Sequence, residues 1–150
     1  MTHAEDLRRW AKGTYTTEAA TELLLRAFNG RFAEPGNPWI HTPATSDHET
    51  DQAAWIDFDV LAETAHNGAY SGGEARFLLL TASLAGNVHV VLADVLTGLD
   101  RHVIDLVLAA VSHATGSHDH PGITVAEDGT PKFSGLPTTL YPWPGDDDIR

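Results

Sequence analysis

Cysteine is absent from this chain, which therefore has no disulfide framework, no thiolate metal site and no cysteine nucleophile. Positive charge is scarce as well. Nine lysines and arginines stand against 21 aspartates and glutamates, a formal net charge of -12. Residues 34–75 hold no lysine or arginine at all, yet carry Glu34, Asp47, Glu49, Asp51, Asp57, Asp59, Glu63 and Glu74. Such a field repels nucleic-acid phosphate and attracts cations or basic protein surfaces, so direct nucleic-acid binding is not expected. Also missing is an apolar run long enough to cross a bilayer, and Met1 to Trp10 carries Glu5, Asp6, Arg8 and Arg9 where a signal peptide needs an apolar core. These absences predict a soluble, cytoplasmic protein with no membrane partner, and 150 residues fit one domain, 1–150.

What is present is mostly helical pattern. Residues 3–12 place Leu7, Trp10 and Ala11 at helical spacing, with the break at Gly13. A second helix follows, capped by Thr16 or Thr17, with Glu18 in its first turn, where the helix dipole favours negative charge. Its stripe is Ala20, Leu23, Leu24, Ala27 and Phe28, and Asn29-Gly30 closes it. Residues 33–52 form a proline-bearing loop bracketed by Trp39-Ile40 and Trp55-Ile56, two short segments able to pair across it. Asp57 to Ala65 reads as a helix with Phe58, Leu61, Ala62 and Ala65 on one face. Ser71 and Glu74 make a capping box for a buried central helix ending at Gly86-Asn87.

Val88 to Leu96 is mixed in signal and is assigned a short helix. Asp100 caps the last helix, in which Ile104, Val107, Leu108 and Val111 are expected to face inward, and Gly116 stops it. A hairpin turns at Asp128-Gly129. The tail, 136–150, carries Pro137, Pro142 and Pro144 and ends in acidic residues, which predicts an extended path along the surface anchored by Tyr141 and Trp143. The expected fold is a mainly α, single-domain bundle of about six helices with one or two short β-hairpins and an extended C-terminal tail.

Chemistry centres on histidine. Nine occur, and His113, His118 and His120 fall together at the end of the last helix and in the loop beyond it. Three imidazoles with Asp119 among them can supply nitrogen and oxygen ligands to zinc or another divalent transition metal. The plainer alternative has His113 facing the negative helix end and the other two in solvent. His102 lies three turns before His113 on the same helical face. Asp57 and Asp59 flank Phe58, and either one caps the next helix. Ser71, Ser83 and Ser112 sit in no nucleophile elbow or triad spacing, so no catalytic residue is assigned. Large aromatics outside the helical stripes, Trp39, Trp55, Tyr141 and Trp143, either anchor loops onto the domain or form a protein-binding surface.

Between Ser71 and Asp100 the chain resembles the ABC-type ATPases. Ser71 and Asp94 stand, relative to each other, where that family has its signature serine and its magnesium-orienting aspartate. The family's glycine-rich lysine loop has no counterpart, Val95 occupies the catalytic glutamate position, and the segment to Asp100 is one residue short. Cap, buried helix and turn account for each part, and no ATP is expected as cofactor. The alanine-rich, lysine-poor style of the whole chain resembles uncharacterised small proteins of actinobacteria and their phages, from which no activity or site residue carries over. The leading expectation is a non-enzymatic interaction or regulatory protein with a protein partner. The alternatives are a metal-binding protein or metal-dependent hydrolase at His113, His118 and His120, and an acidic nucleic-acid mimic.

Overall fold

Four of the helices in the described residues begin where a polar side chain accepts hydrogen bonds from free backbone N–H groups. In the computed structural model, which describes residues 1–43, 53–119, 121–137 and 139–146, α1 (His3–Ala11) opens on a capping box between Thr2 and Glu5. Helix α2 (Tyr15–Arg26) starts two to three residues earlier than a cap at Thr16 or Thr17 would place it. Its N-cap is Thr14, which makes no side-chain cap bond; Glu18 instead reaches back to accept the Gly13 N–H at 3.1 Å. The helix also ends earlier, at Arg26. A 3-10 segment, Ala27–Ala33, follows, in which Phe28, Asn29 and Gly30 all take left-handed backbone angles. That conformation is costly for Phe28. It is offset by edge-on packing of its ring against Phe32 and Phe77 at 5.3 and 5.1 Å.

The two tryptophan-isoleucine segments do pair. Strands β1 (Ile40–His41) and β2 (Trp55–Ile56) are antiparallel, with Ile40 opposite Ile56. Asp57 then caps α3 (Phe58–Asn67), its carboxylate accepting from the Asp59 and Val60 amides at 3.1 Å. The Ser71–Glu74 capping box opens α4 (Gly72–Ala85), the central helix, which buries Phe77, Leu78 and Leu80 against α2 and α3. Of the mixed segment Val88 to Leu96, only Leu92–Leu96 is helical, as α5. Asp100 caps α6 (Arg101–Ala114), accepting from the Val103 amide at 2.9 Å.

Helix α6 corrects one expectation. Its buried face is Val103, Leu106, Val107 and Ala110, while Ile104, Leu108 and Val111 are 40, 47 and 51% exposed. Both stripes are apolar and both have helical spacing, so periodicity alone does not choose between them. The small side chains of Ala109 and Ala110, both fully buried, lie on the side where α2 packs along α6. Beyond α6, a 3-10 turn (Ser117–Asp119) leads to β3 (Pro121–Val125) and β4 (Pro131–Pro137), an antiparallel hairpin turning through Asp128-Gly129 with Ile123 opposite Phe133. Among the described residues the fold is thus mainly α, six helices with two short antiparallel pairs. Strand β4 extends to Pro137, so the tail proper begins after it. Residues 139–146 form an irregular strap, neither α-helix nor strand, whose Trp143 is buried in the core. His120, the loop acids Asp47, Glu49 and Asp51, and the last acids from Asp147 lie outside the described residues.

Candidate metal centre

Three segments converge at one end of the α2–α6 pair. Helix α2 contributes Glu18 from its first turn, α6 contributes His113 from its last, and the 3-10 turn contributes His118. Gly116 lets the chain reverse between the two histidines. Its φ is +74°, and a Cβ there would lie 2.7 Å from the Tyr15 ring, so only glycine suits both the backbone and the neighbour.

The imidazoles of His113 and His118 stack nearly parallel, centroids 4.0 Å apart and planes 15° from each other. His113 Nε2 is 3.2 Å from Glu18 Oε1. One donor atom from each of Glu18, His113 and His118 lies within 4.8 Å of the other two. Their side chains are 23, 18 and 26% exposed, enclosed but within reach of a small ion. His118 Nδ1 is buried and has no hydrogen-bond partner among the described residues. A buried polar atom left unbonded costs about 1–3 kcal/mol, so such an atom is a candidate ligand donor.

Around this cluster lies a polar layer. Tyr15 presents its edge to His118 at 5.1 Å and donates its hydroxyl proton to Asp119 Oδ2, and that bond raises the Tyr15 pKa. Asp119 Oδ2 is also 4.0 Å from His118 Nε2, an ion-pair distance too long for a hydrogen bond. On the other flank, burial opposes ionisation of Glu22, but hydrogen bonds from Arg8 at 2.5 Å and Arg26 at 2.8 Å outweigh it and hold the carboxyl below its usual pKa. Arg26 places its guanidinium 4.9 Å from the centroid of Trp143, whose ring lies 6.2 Å from that of His113. Two cavities adjoin His113. One, of about 220 Å³, runs between α1 and α2 beside Glu18; the other, about 370 Å³, lies between the imidazole pair and the strap and is walled by Arg26, Thr139, Pro142 and Trp143.

The structure therefore brings His113 and His118 together, and supplies as third donor Glu18, which the sequence marks only as a first-turn carboxylate. His102 does not join them. Eleven residues of helix separate it from His113, about 16 Å along the axis, and it borders a groove with Ile104, Leu108 and Tyr141. Asp57 and Asp59 serve the start of α3. The four aromatics divide: Trp39 is fully buried, its indole N–H donating to Phe32 O at 2.8 Å, and Trp143 is 8% exposed. Trp55 stacks on His41 at 4.1 Å and stays 40% exposed, and Tyr141, 38% exposed, donates its hydroxyl to Asp105 at 2.6 Å. Compared with family models, curated proteins and solved structures, the chain matches none of them.

Proposed function

We propose that this protein binds a divalent transition metal through Glu18, His113 and His118. The observation that carries the reading is the convergence of those three donor atoms within 4.8 Å from three separate segments of the chain. Two imidazoles and a carboxylate form a borderline donor set that suits zinc, cobalt, nickel or copper, whereas calcium and magnesium call for more oxygens. Bringing both imidazole lone pairs onto one ion takes a rotation about χ2, a soft torsion. Three protein ligands leave a tetrahedral ion one further position, for water or an outside ligand. A protein-binding surface built on the aromatics has less support, because Trp39 and Trp143 are spent on the core.

Equilibrium dialysis against zinc, with metal analysis of the retained protein, tests this. The expected result is one ion per chain, lost in His113→Ala and His118→Ala variants whose circular dichroism is unchanged. Absence of stoichiometric zinc in the wild type contradicts it.

A further inference from the structure

We infer that occupancy of the Glu18–His113–His118 site fastens the C-terminal strap, residues 139–146, to the helical body, so that metal controls whether that segment is docked; this rests on the metal reading above. The strap and the proposed ligands meet at one hydroxyl. Ser112 Oγ, one residue before His113, lies 3.0 Å from Ser117 Oγ and 3.2 Å from Thr139 Oγ1, and it accepts the Tyr141 backbone N–H at 3.0 Å. Ser117, one residue before His118, donates its own proton to Ser112 O at 3.0 Å.

A serine hydroxyl has one proton and two lone pairs, which fixes the direction of the network. With the Ser117 proton committed to Ser112 O, the Ser112 proton goes to Ser117 Oγ. Both Ser112 lone pairs are then free to accept, one from Tyr141 N–H and the other from the Thr139 hydroxyl, whose single proton is shared with Tyr141 O at 3.4 Å. Every member is satisfied only while the turn Ser117–Asp119 holds its place. If that turn swings away, Ser112 loses its acceptor and the orientation that receives the strap.

An ion bridging His118 to Glu18 and His113 pins that turn to two helices. The same ion fixes the His113 ring, 6.2 Å from Trp143, the strap residue that is buried in the core. Both histidine ligands thus adjoin strap anchors, one through Ser117–Ser112 and one directly. Linkage makes the effect reciprocal: the factor by which metal tightens the strap equals the factor by which the docked strap tightens metal. Couplings of this kind run from roughly fivefold to 150-fold, and about tenfold is expected here.

Hydrogen exchange with and without zinc reads the first half, with the Tyr141 amide as direct reporter because its N–H is bonded to Ser112. Zinc should slow exchange in 139–146 about tenfold in the wild type and leave it unchanged in His118→Ala. Zinc affinity of Ser112→Ala and Ser117→Ala, measured by dialysis, reads the second half and should fall by a similar factor; Trp143→Phe serves in their place if either variant folds poorly. Zinc bound at one per chain with unaltered exchange and unaltered affinity in the variants overturns the latch and leaves the metal site standing. No zinc bound overturns both.

Discussion

Truncating Leu106 and Leu108 separately asks which face of α6 holds the protein together. Leu106 is 2% exposed and belongs to the core, whereas Leu108, two residues on, is 47% exposed. A buried leucine cut to alanine forfeits its transfer free energy and leaves a cavity that the surroundings only partly fill, a cost of about 3 kcal/mol. Leu108 keeps nearly half its surface in water and leaves an open dent. Its truncation forfeits roughly half of a leucine's burial energy, about 1 kcal/mol. Urea unfolding followed by circular dichroism separates the two, provided the denaturant slopes of both variants match the wild type. Equal losses, or a larger loss for Leu108→Ala, would mean that the Ile104, Leu108 and Val111 stripe faces the core, and the packing described above would be wrong.

Two further outcomes follow from the surroundings of the site. Gly116→Ala forces a Cβ to within 2.7 Å of the Tyr15 ring at a φ of +74°, so it should destabilise the protein by about 1–2 kcal/mol, read as a lower melting temperature; an unchanged value refutes the fit. Glu22 has its pKa lowered in the folded protein from 4.5, so its stabilising ionisation is complete above that value and is lost as the pH falls through the lower, folded value. The stability gap between wild type and Glu22→Gln, measured by urea unfolding, should accordingly be widest near neutrality and shrink on acidification below about pH 4.5; a gap that grows toward acid contradicts the Arg8–Glu22–Arg26 arrangement.

Much of the fold was legible where local chemistry is self-sufficient. The Ser71–Glu74 box, the Asp100 cap and the Asp128-Gly129 turn each need only a few consecutive residues, and each stands where the sequence places it, while of the two aspartates able to cap α3 it is Asp57 that does so. The pairing of Trp39-Ile40 with Trp55-Ile56 was legible because two apolar, β-prone segments bracket a loop that proline keeps from being helical. The inward face of α6 was not, since two apolar stripes compete and the packing of α2 decides between them. The start of α2 was obscured by three threonines, Thr14, Thr16 and Thr17, among which side-chain capping is not what sets the boundary.

For the site, His113 and His118 announce themselves as neighbours in sequence, but Glu18 comes from 95 residues away. Nothing in its own segment distinguishes it from a carboxylate placed to favour a helix dipole. Only the packing of α2 along α6 brings it to the imidazoles.

Glu18 is therefore where the account is most exposed. Titration of the wild type and a Glu18→Gln variant with cobalt, followed by visible absorption, measures its part directly, because glutamine keeps the size of the side chain and removes the charged donor. The account predicts one cobalt per chain in the wild type and an affinity at least tenfold weaker in the variant, with circular dichroism unchanged. Equal affinity in the two proteins would contradict it, and would move any bound metal away from the junction of α2 and α6.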